Sequence, residues 1–193
     1  MKPVGEMTEA ELAAFVEEHL AKRGIRLVLS GGTCVTIYGG RAYVSGDLDL
    51  VLEAYAKPKD VSDALAELGF ERRERTFHHP ESALFVDIRH WPPAVGSEPI
   101  GEVRELQTAA GRLRTISPTD CVKDRLANYY YHNDRQCLEQ ACLVVACSEV
   151  DLTAVESWSG HEGQQTAFEE IRERLRSADA ERRRKAARPH TAP

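Results

Sequence analysis

The segment LVLSGGTCVTIYGGRAYVSGDLDLVL, residues 27–52, carries the most informative pattern in the chain. One apolar run ends in Gly31-Gly32, and a second apolar run contains Asp47 and Asp49. Aspartate is depleted in β-strands, and a buried carboxylate needs a cation or must lose its charge. Alternate residues of a strand share a face, so both carboxylates point to the same side. The pattern therefore predicts a strand, a glycine turn opening a short helix, and a second strand whose acids converge on one cation.

A third acid stands in a similar setting further along the chain. Asp87 lies within SALFVDIRHW, residues 82–91, which is again an apolar, strand-like run. Carboxylate oxygens suit Mg²⁺, and acids on neighbouring strands that hold one or two such ions are the arrangement that phosphoryl transfer requires. The simpler alternatives are that Asp47 and Asp49 form a solvated strand face and that Asp87 pairs with Arg89 or another surface charge.

The glycine turn predicts a site for phosphate. Ser30, Gly31 and Gly32 precede a short helical segment, so their backbone N–H groups and the positive end of the helix dipole can hold a triphosphate. A plain turn without a ligand is the alternative, and the order of the three motifs together favours the phosphate site.

Composition and charge restrict the classes of function. The 193 residues are 42% apolar and 29% charged, and the formal net charge is −6, so an overall basic surface for nucleic acid is not expected. Residues 181–193 differ, with five Lys or Arg and one Glu. We expect a solvated helix end and a flexible basic tail there, with a phosphate- or RNA-contacting arm as the alternative.

The cysteines and the hydropathy pattern indicate a cytoplasmic protein. The five cysteines form no C-x-x-C pair, which favours reduced thiols over disulfides or zinc. No apolar run approaches the ~18 residues that cross a bilayer, and no signal-peptide core is present near the start, so no membrane association is expected.

Helix and strand signals divide the chain near residue 116. Before it, strand-like runs alternate with helical segments, one of which opens with Thr8 as N-cap. ERRERTFHH, residues 71–79, is predicted to be a strand, and a hairpin is predicted around Ala110 and Gly111. From Ser117 onward the pattern is helical. The sequence thus predicts an α/β core over residues 1–116, a helical region packed on it over 117–180, and the basic tail over 181–193.

The order of these motifs resembles the polymerase β-like nucleotidyltransferase superfamily. Its signature is an apolar-Gly-Gly/Ser segment, an acid-x-acid strand and a third acid on a later strand, here Ser30-Gly31-Gly32, Asp47-Leu48-Asp49-Leu50 and Asp87. The resemblance implies a mixed sheet flanked by helices, with the acids on adjacent strands and the Gly-Gly turn at their end. It also implies that Asp47, Asp49 and Asp87 bind one or two Mg²⁺ ions.

The helical half resembles a subgroup of that superfamily. SPTDCVKDRLANYYYHNDRQCLEQA, residues 117–141, is similar to the helical region of bacterial nucleotidyltransferases related to abortive-infection and toxin–antitoxin systems. The resemblance implies that Lys123 and Asp134 contact the nucleotide. The alternatives are that Lys123 pairs with an acid one turn away and that Asp134 caps a helix.

The reaction implied is transfer of a nucleoside monophosphate from an NTP to a hydroxyl, with release of pyrophosphate. Asp87 would orient or deprotonate the acceptor, which is RNA, a protein or a small molecule such as an antibiotic. The resemblance to the subgroup also implies a toxin-like role with a cognate antitoxin as one hypothesis. Two other hypotheses stay open: a nucleotide- or partner-binding module of the same fold with little activity, and a metal-dependent phosphohydrolase that uses water as acceptor.

Overall fold

A mixed β-sheet flanked by helices forms the protein. A computed structural model describes residues 2–40, 42–90 and 92–187. Its helices, besides a 3₁₀ turn at Val4–Glu6, are α1 (Glu9–Ala21), α2 (Gly31–Tyr38), α3 (Pro58–Glu67), α4 (Pro118–His132), α5 (Arg135–Cys147), α6 (Leu152–His161) and α7 (Gln165–Ala186). Its strands are β1 (Leu27–Ser30), β2 (Asp47–Leu52), β3 (Glu71–Arg73), β4 (Thr76–His78), β5 (Phe85–Arg89), β6 (Ala94–Val95), β7 (Glu98–Pro99), β8 (Val103–Thr108) and β9 (Gly111–Ile116). The predicted α/β fold class is confirmed.

Seven strands make the main sheet, in the order β3-β4-β5-β2-β1-β9-β8. β2 and β5 are parallel, as are β1 and β9, whereas β1 and β2 are antiparallel. Strands β6 and β7 pair separately. The segment that contains the glycines and the first two acids therefore supplies the two neighbouring strands β1 and β2 in the middle of the sheet.

Local signals explain where the main elements begin. Thr8 and Glu11 form a capping box at the start of α1, with the Thr8 N–H donating to Glu11 Oε2 at 2.8 Å. The Asp120 N–H donates to Ser117 Oγ at 3.0 Å and starts α4. The predicted hairpin around Ala110 and Gly111 is β8–β9. Caps satisfy backbone N–H groups that a helix leaves unpaired, so capping residues in the sequence predict where these helices begin.

Three boundaries differ from the predicted ones. Helix α2 begins at Gly31, so the glycines are its first turn and not a turn before it. The run ERRERTFHH, predicted as one strand, is the hairpin β3–β4, with Glu74 at φ +54° in its turn. Helix α7 continues through the start of the basic segment to Ala186, and residues 188–193 of that predicted tail lie outside the described residues.

One apolar core joins the sheet to the helices that follow it. Leu29 and Leu50 of the sheet belong to the same buried cluster as Val122 of α4 and Val144 of α5. At its edge, the Tyr38 hydroxyl donates to the Ile116 carbonyl at 2.9 Å. None of the described helices is long and apolar enough to cross a membrane. The helical half therefore packs directly on the sheet and on α2, which carries the two glycines.

A buried acid on α1 makes stability depend on pH. Glu17 is 4% exposed and accepts a hydrogen bond from the Arg114 N–H at 2.6 Å. Burial raises the pKa of Glu17 from its ordinary 4.5 to about 7. Because the folded protein holds this proton more tightly than the unfolded chain, stability falls as the pH rises from about 4.5 to about 7. The full cost of ionisation is about 3 kcal/mol.

We expect Glu17→Gln to raise the free energy of unfolding by roughly 1–3 kcal/mol at pH 8 and to change it little at pH 4.5. The amide removes the buried charge and keeps an oxygen for the Arg114 N–H. Urea unfolding at both pH values measures this. Glu18→Gln, at the exposed neighbouring position, is the control and should show no comparable difference between the two pH values. An equal change in the free energy of unfolding at both pH values would show that ionisation of Glu17 does not destabilise the protein.

Candidate active site

The register of three strands aligns the predicted site residues. Ser30 of β1 is the partner of Asp49 in the antiparallel pair β1–β2. Asp49 is in turn the partner of Asp87 in the parallel pair β2–β5. Asp47 lies two residues earlier on the same face of β2. Residues distant in sequence are thus brought into one row across the sheet, Ser30–Asp49–Asp87, with Asp47 beside it.

The two glycines allow the acids to come this close to α2. Gly31 has φ +68°, and a Cβ there would lie 2.6 Å from Cγ of Asp49 and would overlap its carboxylate. A Cβ on Gly32 would lie 2.7 Å from Oγ of Ser45. Only glycine tolerates both the left-handed backbone and this approach. The Asp49 carboxylate therefore lies directly against the first turn of a helix.

Hydroxyl groups around the acids fix the strand and its side chains. Ser45 Oγ donates to Asp47 Oδ1 at 2.8 Å, and Thr33 Oγ1 donates to the Asp47 carbonyl at 2.7 Å. Ser30 Oγ donates to the Asp49 carbonyl at 3.3 Å. The Thr33 bond ties β2 to the first turn of α2, and the Ser30 bond ties it to the N-cap of that helix. Consequently, a disturbance of that turn would also displace the acids.

Arg89 at the end of β5 supplies the cation beside the acids. Its Nη2 and Nε lie 2.7 Å and 3.0 Å from Asp49 Oδ1, and its Nε lies 3.5 Å from Asp87 Oδ2. The Asp87–Arg89 pairing that the sequence allowed is therefore confirmed. The contact with Asp49 was not foreseen, because only the β2–β5 register shows that Arg89 can reach across to the neighbouring strand.

Burial and neighbouring charges raise the pKa values of both Asp49 and Arg89. Burial raises the pKa of Asp49, and the Arg89 guanidinium offsets part of that rise. Burial lowers the pKa of Arg89, but Asp49 and Asp87 outweigh it and the net shift is upward. Asp49 is 9% exposed, whereas Arg89 is 58% exposed. The carboxylate is thus held in place, while its partner is a long side chain that can move into solvent.

The chemistry of the donor set fits a hard divalent cation. Asp47, Asp49 and Asp87 offer carboxylate oxygens, the ligands that Mg²⁺ prefers. The buried charge of Asp49 needs a cation, which in this structure is Arg89. Among residues 2–40, 42–90 and 92–187, no three His, Cys, Asp or Glu side chains are already grouped as a metal site. In this structure Arg89 contacts one oxygen of Asp49 and one oxygen of Asp87.

Asp124 of α4 is a further acid near the site that the sequence interpretation missed. It adds repulsion that raises the pKa of Asp49, and it lines a small cavity with Ser30 and Arg89. Asp124 pairs with its neighbour Arg125. Its spacing in the sequence could have identified it: Asp124 follows the buried Cys121 by three residues, which puts it on the inward side of the helix.

Two predicted nucleotide contacts make other interactions in this structure. Lys123 Nζ lies 3.4 Å from Glu98 Oε2 and 3.9 Å from Asp120 Oδ1, so its predicted acid one turn away is present. Asp134 is the N-cap of α5, and its Oδ1 accepts from the Gln136 N–H at 2.9 Å. Both structural alternatives named from the sequence are thus observed. The roles of Lys123 and Asp134 toward a nucleotide remain predictions.

Comparison with known proteins bears on the fold. The sequence matches no protein-family model and no curated protein. The structure is similar to the crystal structure of an antigenic nucleotidyltransferase-like protein from Paracoccidioides brasiliensis, with a TM-score of 0.56 and 12% identity. The match covers 87% of this chain and 92% of that one. The chain has a nucleotidyltransferase-like fold.

Weaker similarity extends to the antibiotic-resistance factor ANT(2'')-Ia. Its solution structure matches with a TM-score of 0.45 and 16% identity, over 90% of each chain. Its crystal structure in complex with adenylyl-2''-tobramycin matches with a TM-score of 0.45 and 15% identity, over 89% of this chain and 95% of that one. In the nucleotidyltransferase-like fold of the present chain, β1, β2 and β5 carry Ser30, Asp49 and Asp87.

Proposed function

We propose that the protein is a Mg²⁺-dependent nucleotidyltransferase that moves a nucleoside monophosphate from an NTP to a hydroxyl acceptor. One observation carries the proposal: the buried Asp49 lies opposite Asp87 on one side and against the glycine turn of α2 on the other. The proposal is supported by this closeness of carboxylates to a helix N-terminus, since triphosphate chemistry needs both metal ligands and a phosphate cradle.

In this proposal the three acids have different tasks. Asp47 and Asp49 would hold Mg²⁺, with Asp87 as the third ligand. Bound Mg²⁺ would neutralise charge on the phosphate oxygens. Asp87 orients the acceptor hydroxyl and takes its proton. The acceptor oxygen forms a bond to the α-phosphorus, the bond from that phosphorus to the bridging oxygen breaks, and pyrophosphate leaves.

The remaining residues act on the nucleotide. Ser30, the N-cap of α2, and Gly31 and Gly32 in its first turn donate backbone N–H groups to the triphosphate. Lys123 would support it after leaving Glu98, and Asp134 would contact the nucleotide. These two assignments follow from the family resemblance alone; in this structure Lys123 pairs with Glu98 and Asp134 caps α5.

A binding module with little activity is the second candidate, and the Arg89 contacts favour it. The Arg89 guanidinium already pairs with Asp49 and Asp87, so it can neutralise these carboxylates in place of a metal ion. The two candidates differ in one property. The enzyme must exchange Arg89 for Mg²⁺ at the acids, whereas the module binds nucleotide without that exchange.

Incubation with Mg²⁺ and each α-³²P-labelled NTP tests the proposal, with total RNA, protein extract and small-molecule pools as acceptors. We expect label on one acceptor class and none with the double variant Asp47→Ala/Asp49→Ala. Label on RNA or on a protein would support the toxin-like role and the search for a cognate antitoxin. NTP binding without label on any class would favour the binding module.

A further inference from the structure

A cavity of about 720 Å³ lies between α3 and the outer part of the main sheet. Pro58 and Ser62 of α3 form one wall, and residues of β2, β5 and the β3–β4 hairpin form the other. Its volume is within the range of sites that bind small molecules, roughly 300–1,000 Å³. The cavity is therefore large enough to hold a ligand beneath α3.

Strand register places this cavity on the face of the sheet opposite the acids. Side chains alternate between the two faces along each strand. The pairings of β3, β4 and β5 therefore give two rows on opposite faces, Arg72–Phe77–Val86 and Arg73–Thr76–Asp87. Arg72 and Phe77 line the cavity, so the first row is on the cavity face and the second is on the face of the acids.

Two charged residues of the candidate active site border the cavity without facing it. Asp87 and Arg89 are the neighbours of Ile88 on β5, and all three are among the lining residues. The charged groups meet on the other face, where Arg89 Nε lies 3.5 Å from Asp87 Oδ2 and 3.0 Å from Asp49 Oδ1. A ligand in the cavity therefore meets Ile88 and not the carboxylates.

Apolar side chains form the floor of the cavity. Leu52, Val61 and Phe77 belong to the buried core and line it from below. Ala56 and Ile88 are half-buried beside them and leave apolar surface open to the cavity. Removing such surface from water is favourable, which favours a ligand with an apolar body.

Two arginines of the β3–β4 hairpin give the rim a positive charge. Arg72 and Arg75 are exposed and line the cavity. Within the described parts of the chain neither forms an ion pair, and Arg72 Nε donates to the Glu74 carbonyl at 3.0 Å. Guanidinium groups hold oxyanions by paired, charge-assisted hydrogen bonds. In a protein of net charge −6, this local excess of positive charge favours an anionic head group.

We propose that the cavity is a second ligand site, separate from the acids, and that it binds a small amphipathic organic anion. The apolar body of the ligand lies on Leu52, Val61 and Phe77, and its anionic group pairs with Arg72 and Arg75. The inference does not rest on the proposed nucleotidyl transfer, because no residue assigned to that reaction turns its charged group toward the ligand.

Calorimetric titration of the full chain with octanoate, 1-octanol and acetate tests the site. We expect octanoate to bind at least tenfold more tightly than either of the others, because 1-octanol lacks the charge and acetate lacks the apolar body. The double variant Arg72→Gln/Arg75→Gln should weaken octanoate binding at least tenfold, since charge-assisted bonds are lost. Ser62→Phe, which fills the cavity with a ring and removes no charge, should abolish octanoate binding.

Arg73→Gln is the matched control for the double variant. Arg73 is an exposed arginine of the same hairpin, but it lies on the opposite face and its Nη2 is 3.8 Å from Glu71 Oε2. Its substitution should change octanoate affinity less than twofold. The three arginines are exposed, so their variants should fold, and thermal unfolding of every variant checks this.

Asp49→Asn separates this cavity from the candidate active site. The Asp49 carboxylate lies on the other face, so the substitution should leave octanoate affinity within twofold. Loss of octanoate binding in Asp49→Asn would place the anion at the acids and overturn the second site. Absence of octanoate binding at millimolar concentration, equal binding of octanoate and 1-octanol, or equal effects of Arg73→Gln and the double variant would also overturn it.

Discussion

Asp49→Asn is expected to reduce nucleotidyl transfer on the order of 10³-fold or more, which corresponds to about 4 kcal/mol of transition-state stabilisation. The carboxylate is the central member of the row Ser30–Asp49–Asp87 and is the most buried of the three acids. An amide of the same size cannot supply a second charged oxygen ligand to Mg²⁺. Initial rates with the labelled NTP and the acceptor identified above measure the loss.

The same substitution should leave the fold nearly unchanged. Removing one member of an ion pair is costly when the other stays buried and unpaired. Here Arg89 is 58% exposed and can turn into solvent, while the burial that raises the pKa of Asp49 no longer opposes a charge. We expect the free energy of unfolding to change by less than about 1 kcal/mol.

Asp63→Asn is the matched control. Asp63 is an acid on α3 with 59% side-chain exposure and a partner, Lys59, on the same helix. The control should keep full activity, so any loss in Asp49→Asn is assigned to its position and not to the change of acid to amide. Retained transfer in Asp49→Asn, with pyrophosphate released at the original rate, would refute the catalytic assignment.

Gly31→Ala is expected to lower the free energy of unfolding by about 2–5 kcal/mol and to abolish transfer in the molecules that remain folded. The backbone at φ +68° costs about 1–2 kcal/mol for a residue with a Cβ. The added methyl group also overlaps the Asp49 carboxylate, and overpacking of this kind costs about 1–3 kcal/mol. Relief of the overlap would push Asp49 out of line with Asp87.

Alanine substitutions at two other glycines separate the cost of backbone strain from the cost of the overlap with Asp49. Gly24 has φ +75°, and a Cβ added there would meet nothing within 4 Å, so Gly24→Ala measures backbone strain alone. Gly46 has neither a positive φ nor a neighbour within 4 Å of an added Cβ, so Gly46→Ala should be nearly neutral. Chemical denaturation of the three variants gives the comparison. If Gly31→Ala lowers the free energy of unfolding no more than Gly24→Ala does, the close approach of Asp49 contributes nothing to the destabilisation.

The sequence by itself determined the elements and the face on which the first two acids lie. Caps at Thr8, Ser117 and Asp134 and the alternation of residues 47–52 depend on neighbours a few positions apart, so their consequences are local. Helix and strand signals indicated the α/β class, the apolar run around Asp87 singled out the third acid, and the family resemblance added a mixed sheet with the acids on adjacent strands. Spacing within one strand also predicted correctly that Asp47 and Asp49 share a face.

Only the tertiary structure decided which residues oppose one another. The registers Ser30–Asp49 and Asp49–Asp87 depend on strand pairing between distant segments, and a shift of one residue would have turned every side chain to the other face. The guanidinium of Arg89 on Asp49 and the approach of Asp124 are consequences of that pairing.

The glycine turn shows the division between local and tertiary information most clearly. The sequence showed two adjacent glycines, which indicated a turn or a phosphate cradle. The structure gives a different physical reason for them: the Asp49 carboxylate and the Ser45 hydroxyl occupy the space where side chains would otherwise be. Steric exclusion between segments that lie far apart along the chain is set by packing, and no local pattern encodes it.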